Sequence, residues 1–192
     1  MRYARVQRTT VETNVNIDLE LDGSGQASTE TGVPFFDHLL GALARHSGFD
    51  LTVRAAGDLH VDAHHTVEDT GIVLGQALRQ ALGEGEGIAR FASIHVPMDD
   101  ALVLVAVDIS GRPYLDCDLA FAIGQIGAFQ TDLVEEALRA FAMHAAITLH
   151  VKQVRGHNSH HIAEAVFKGL GVTLGRATRI VGRGVPSTKG VL

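Results

Sequence analysis

The chain repeats itself. "DAHHTVEDTG" (62–71) carries His64, His65 and Glu68, and "HNSHHIAEAVFKG" (157–169) carries His160, His161 and Glu164 at the same spacing. The segments ahead of them match too. Sliding residues 38–54 by 98 positions puts Leu40 on Leu138, Ala42 on Ala140, Leu43 on Phe141, His46 on His144, Leu51 on Leu149 and Val53 on Val151. A loop shorter by two residues then brings His64, His65 and Glu68 onto His160, His161 and Glu164. A duplication restricts the fold to two like halves sharing a core. No linker or low-complexity stretch separates them. One domain over 1–192 is expected, with halves at about 1–88 and 89–192.

Each half reads strands, helix, strand, helix. "YARVQRTTVETNVNIDLEL" is rich in β-branched residues, and "NVNIDLEL" alternates apolar and polar. "DGSG" (22–25) reads as a hairpin turn. A helix is predicted over 31–48, with Pro34 near its start and Gly48 at its end, then a strand over 49–55 and a helix over 64–83. The second half offers strands in "ARFASIHVPM" and "ALVLVAVDIS", joined at Asp99-Asp100, and a third in "RPYLDCDL". A helix over 131–145 with Thr131 as N-cap, a strand over 147–154 and a helix over 159–178 follow.

Hydrophobic residues are 46% of the chain, enough for a sizeable interior. A formal charge of −6 and a pI near 6.0 argue against a polyanion binder, so no nucleic-acid partner is expected. One cysteine, Cys117, allows no internal disulfide and fits a reducing compartment. The N-terminus shows no apolar signal region, and no apolar run approaches a membrane span. A cytoplasmic protein without a membrane partner is expected.

The histidines carry the chemistry. Five of the eleven lie in the two quoted windows. A helix turns by roughly 100° per residue, so His64 and Glu68 lie roughly 40° apart on one face. His64 and His65 diverge by roughly 100°, too far to aim comfortably at one ion. Adjacent histidines on a helix suit two metals, or a metal and a substrate. His38 starts the short helix of the first half, and Glu136 holds the matching place in the second. The candidate ligands are therefore His38, His64, His65, Glu68, Glu136, His160, His161 and Glu164, enough for two sites of four. Imidazole and carboxylate without thiolate favour Mn²⁺ or Fe²⁺ over structural zinc. Single histidines such as His46, His60, His95, His144, His150 and His157 are set aside as surface or capping residues.

Anion-binding residues are also present. "GRGVPSTKGVL" (182–192) offers hydroxyls, a lysine and glycine-exposed N–H groups, although a frayed polar tail has the same composition. Arg90 and Arg112 sit in similar strand-edge loops. Lys168 lies one helical turn beyond Glu164, on the ligand face.

Taken together, "TGVPFFDHLL", "AHHTVEDTGI", "PMDD", "SGRPY", "HNSHHIAEAVFK" and "PSTKGVL" resemble the imidazoleglycerol-phosphate dehydratase family along essentially the whole chain. The resemblance implies an α+β fold of the ribosomal protein S5 domain 2-like kind. In it, each duplicated half is a four-stranded sheet carrying two helices, and the helices are sandwiched between the sheets. It implies dehydration of imidazole glycerol phosphate to imidazole acetol phosphate in histidine biosynthesis, two Mn²⁺ per active site, and a homo-24-mer with active sites between subunits. His38, His64, His65, Glu68, His160, His161 and Glu164 match its metal ligands. Glu12 matches a glutamate at the substrate. Arg90, Arg112, Lys168, Ser187 and Lys189 match the residues that hold the phosphate. One position departs: the family usually has histidine in a "VEHFF" pattern, where this chain has "VEEAL" and Glu136.

The implied route runs through a metal-stabilised imidazolate and a diazafulvene-like intermediate. A carboxylate handles the protons: Glu164 as acid/base with Glu12 assisting, and Glu68 as the other ligand candidate. Two rival readings remain at this point. A dimetal phosphoesterase would release inorganic phosphate from simple esters. A non-catalytic metal-assembled scaffold would need no anion pocket, so Arg90, Arg112 and Lys168 would be freely replaceable.

Overall fold

Alternation decides the first sheet. In β2 (Thr13–Glu20), Val15, Ile17 and Leu19 point into the core while the residues between them stay partly exposed. β2 pairs antiparallel with β1 (Tyr3–Thr9) on one side and with β4 (Asp50–Gly57) on the other. β3 (Ala27–Glu30) adds parallel to the far edge of β4, giving the order β1-β2-β4-β3. The computed structural model describes residues 2–190 and 192.

The second half repeats this order. β5 (Phe91–Met98), β6 (Ala101–Asp108), β7 (Tyr114–Asp118) and β10 (Thr148–Arg155) form a sheet ordered β5-β6-β10-β7, with β7 parallel to β10. Between β7 and β10 lie a short hairpin, β8 (Gln125–Ile126) with β9 (Phe129–Gln130), and helix α3 (Leu133–Ala145). The other helices are α1 (Pro34–Ser47), α2 (His64–Leu82) and α4 (Ser159–Ala177). Each of the long helices, α2 and α4, packs on its own sheet, and the helices pair across the halves, α2 with α3 and α1 with α4. Four helices thus lie between two sheets, as the α+β expectation has it.

The helix pairs close tightly for a reason visible in the glycines. A Cβ at Gly75 of α2 would lie 2.5 Å from the Phe141 carbonyl oxygen, and one at Gly171 of α4 would lie 2.5 Å from that of Leu43. Leu43 and Phe141 are the residues that the repeat superposes. Alanine at Gly75 or Gly171 is expected to cost about 2 kcal/mol by overpacking. Gly41, also helical, has nothing within 4 Å of its missing Cβ. Alanine there is expected to stabilise by roughly 0.5–1 kcal/mol. Denaturant midpoints of the three variants check the contrast.

Several local expectations need revision. The segment 22–25 is not a hairpin turn, because β2 and β3 flank β4 rather than each other. Asp50, at the start of β4, accepts hydrogen bonds from the backbone N–H of Ser24 (2.8 Å) and Gln26 (2.9 Å), which carries the chain past the end of that strand. Thr131 does not cap α3: its hydroxyl donates to the Ile123 carbonyl at 3.1 Å, and Asp132 holds the N-cap position. Pro34 and Gly48 do flank α1, Gly48 in the left-handed region at φ 81°. Burial pushes the Cys117 thiol up to about 12, with the Glu135 carboxylate adding to it, so it stays protonated at neutral pH. Among the described residues no helix is long and apolar enough to cross a membrane.

Candidate metal centre

Both HHxxE motifs open a helix. Asn158 caps α4, its side-chain oxygen accepting the N–H of His160 at 3.0 Å and of His161 at 3.3 Å. Asp62 does similar service for α2, accepting the N–H of His64 at 2.8 Å. The histidine pairs splay as the helical turn requires: ring planes cross at 87° for His64 and His65, and at 84° for His160 and His161. The first histidine of each pair faces its own glutamate. His160 Nε2 lies 3.2 Å from Glu164 Oε2, and His64 Nε2 lies 3.8 Å from Glu68 Oε2. The second turns to carboxylates on neighbouring loops.

Because α1 packs on α4, His38 joins the second motif. Its Nε2 is 3.4 Å from Glu164 Oε2, and ligand atoms of His38, His160 and Glu164 all lie within 4.8 Å of one another. Phe35 backs this cluster, its ring 5.0 Å from His160 and 6.0 Å from His38 between centroids, and Phe129 packs on Phe35 at 5.4 Å. Burial raises the Glu164 carboxyl, but Lys168 and His38 outweigh it and hold the group below the usual range. Lys168 Nζ sits 2.8 Å from Glu164 Oε1. A cleft of about 650 Å³ opens beside the cluster, walled by Phe35, Phe129 and Leu59.

A second group of three joins Glu12, Asp58 and His65. His65 Nδ1 donates to Asp58 Oδ2 at 3.0 Å, and Glu12 Oε2 stands 3.8 Å off. That hydrogen bond raises the His65 pKa. His161 Nδ1 donates to Asp100 Oδ1 at 2.7 Å. Asp100 also accepts the N–H groups of His157 (2.7 Å) and Asn158 (3.0 Å), and those bonds drive its carboxyl far down. The loop bearing Glu12 is tied to α2 as well: Arg8 Nε donates to Asp69 Oδ1 at 2.8 Å, and the Thr13 hydroxyl donates to Asp69 Oδ2.

The eight expected ligands are therefore dispersed within one chain. His38, His160 and Glu164 meet; His64 faces Glu68; His65 and His161 face loop carboxylates. Glu136 joins no group of three among the described residues. It does lie on the turn of α3 against α2, where Gly71 faces the carbonyl of the next residue, Ala137. Elsewhere, Arg90, Arg112, Ser187 and Lys189 converge with Pro186 and Thr188 around a cleft of about 560 Å³. Arg90 reaches Asp108 at 2.8 Å and the Pro186 carbonyl at 2.9 Å, pinning the tail. Lys168 lies apart from this cleft, on Glu164. Sequence reasoning missed Asp58, Asp99 and Asp100 as partners of the histidines, and Phe35 and Phe129 as the wall. The available signal is the pair of adjacent carboxylates in "PMDD", just before β6.

The donor set suits a first-row divalent ion: imidazole nitrogens and carboxylates, with no thiolate. The family model for imidazoleglycerol-phosphate dehydratase matches residues 31–174. The chain belongs to the imidazoleglycerol-phosphate dehydratase family. It is 58% identical to the imidazoleglycerol-phosphate dehydratase of Desulforudis audaxviator, over 100% of this chain and 98% of that one. The crystal structure from Pyrococcus furiosus superposes with a TM-score of 0.86 at 42% identity, covering 97% of this chain and 100% of that one. That from Staphylococcus aureus gives 0.84 at 38%, covering 94% and 99%. This dehydratase is thus a hydro-lyase of histidine biosynthesis, with imidazole glycerol phosphate as its substrate.

Proposed function

We propose that the enzyme is an Mn²⁺-dependent, cytoplasmic dehydratase, one domain of two halves, whose two metal sites are completed between copies of the chain. The convergence of His38, His160 and Glu164 within 4.8 Å is the observation that carries the reading. The repeat supplies its mate, since Glu136, His64 and Glu68 hold the matching places on α3 and α2. His65 and His161 turn away from these sets and are free to serve a facing copy. The homo-24-mer implied by the family accommodates such sharing, and Fe²⁺ suits the same donors.

With the metals bound, the centre supplies Lewis-acid stabilisation of the substrate's deprotonated ring. The chain's own residues do the rest. Arg90, Arg112, Ser187 and Lys189 grip the phosphate and fix the glycerol carbons. The hydroxyl leaves the carbon beside the ring as water, taking up the proton that the ring gave up, and a diazafulvene-like intermediate results. Glu164 takes the proton from the next carbon, with Glu12 assisting, and the enol so formed becomes the ketone. Lys168 keeps Glu164 ionised to receive that proton and adds positive charge for the anionic substrate.

Arg112 is the more exposed arginine of the phosphate cleft, and its Nη2 is 4.0 Å from Asp108, too far for a strong bond. Arg112→Ala is expected to raise KM roughly 10–100-fold with little change in kcat, as befits a lost charge-assisted hydrogen bond of about 1.5–3 kcal/mol. Steady-state kinetics check it; an unchanged KM would remove Arg112 from the site. The reading as a whole is tested by assaying chelator-stripped protein with imidazole glycerol phosphate, with and without Mn²⁺, alongside light scattering. Mn²⁺-dependent formation of imidazole acetol phosphate together with particle growth is expected. Release of inorganic phosphate, or assembly without turnover, would overturn it.

A further inference from the structure

The two halves treat their second histidine differently. Glu12 immediately precedes β2 and Asp100 immediately precedes β6, so the two carboxylates hold the same place in the repeat. Asp100 grips His161 Nδ1 at 2.7 Å. Glu12 does not grip His65: it stands 3.8 Å away, beyond hydrogen-bonding range. Asp58, from the loop after β4, has taken the His65 Nδ1 instead, at 3.0 Å. Its other oxygen, Oδ1, is buried with no hydrogen-bond partner among the described residues.

We infer that Asp58 and Asp100 are positioning residues for metal binding, and that Asp58 has released Glu12 from that duty so that Glu12 can face substrate. The inference rests on the metal reading above. Nδ1–H donation to a carboxylate fixes the tautomer, leaving the Nε2 lone pair to face outward as a ligand. It also raises the basicity of that nitrogen. Among the described residues the one carboxylate paired with His161 Nε2 is the exposed Asp99, at 3.6 Å, which is not a hydrogen bond. Both second histidines are thereby set as outward donors, by residues from different places in the repeat.

The test is Mn²⁺ titration of the chelator-stripped full chain, followed by electron paramagnetic resonance, for the parent and for Asp58→Ala, Asp58→Asn and Glu12→Gln. Asp58→Ala is expected to weaken Mn²⁺ binding about 10–100-fold. Asp58→Asn, which can still accept from Nδ1, should lose less, and Glu12→Gln should bind metal as the parent does. Among the described residues the Asp58 side chain accepts no N–H from another residue's backbone, so circular dichroism of Asp58→Ala should match the parent. Asp100→Asn is the companion variant, with the same direction expected at the second site. Parent-like Mn²⁺ affinity in a folded Asp58→Ala would overturn the inference. So would an equal loss in Glu12→Gln, which would make Glu12 and Asp58 one acidic cluster. A parent chain that binds no Mn²⁺ would overturn the metal reading itself, a result distinct from either of these.

Discussion

Glu164→Gln is expected to lower kcat by roughly 10²–10⁴-fold, the range for loss of a general acid–base group. Glutamine keeps the volume, so the buried position on α4 stays filled. What is lost is charge. Glu164 Oε2 lies 3.4 Å from His38 Nε2 and 3.2 Å from His160 Nε2, while Oε1 receives Lys168 Nζ at 2.8 Å. An amide can neither accept the proton nor balance that ring of donors. Metal content should fall as well, because a ligand oxygen has become neutral. Turnover at saturating Mn²⁺ separates the two losses. A kcat that returns when Mn²⁺ is raised would make Glu164 a ligand only; a kcat that stays low makes it the proton carrier.

The legible part of this protein is the part that the repeat controls. His64 with Glu68 and His160 with Glu164 follow from helical geometry alone, and the divergence of each histidine pair was readable from the same angle. His38 could be placed because its repeat position matches Glu136, but its approach to Glu164 needed the packing of α1 on α4. Partners that arrive from loops were not legible. Asp58 and Asp100 reach His65 and His161 only because β4 and the β5–β6 turn end beside the helix starts, and no local spacing encodes that. β3 was missed for a similar reason: four residues, "ASTE", have three at least partly polar and little apolar alternation, so only the β4 edge makes them a strand.

The same distinction explains where the anion residues fell. Arg90, Arg112, Ser187 and Lys189 were separate weak signals, and the structure unites them because the tail returns to the end of β6. Arg90 is the hinge of that return. It takes a left-handed backbone at φ 72°, uncommon for a residue with a side chain, and its guanidinium spans Asp108 and the Pro186 carbonyl. Lys168 obeyed its helical spacing instead and stayed with Glu164. A cation one turn beyond a carboxylate meets that carboxylate first.

Asp69→Ala is the change expected to cost most in stability, about 3 kcal/mol for two hydrogen bonds to a carboxylate, one of them from a buried hydroxyl. Asp69 is buried on α2, one residue beyond Glu68. Its carboxylate receives Arg8 Nε at 2.8 Å and the Thr13 hydroxyl. Thr13 in turn lies in a small knot: Thr10 Oγ1 accepts the N–H of Glu12 at 3.1 Å and of Thr13 at 2.9 Å. Removing the carboxylate leaves the exposed Arg8 without its partner and takes the acceptor from the buried Thr13 hydroxyl. For a chain of this length the loss corresponds to roughly 6–12 °C in the unfolding midpoint. The loop that presents Glu12 loosens with it, so kcat should fall more than Mn²⁺ affinity. Asp69→Asn keeps one acceptor oxygen and should recover part of both. Differential scanning calorimetry and Mn²⁺ titration on the same samples check the split. Equal losses of metal affinity and turnover would mean that Asp69 supports the ligand helix itself, and not the Glu12 loop.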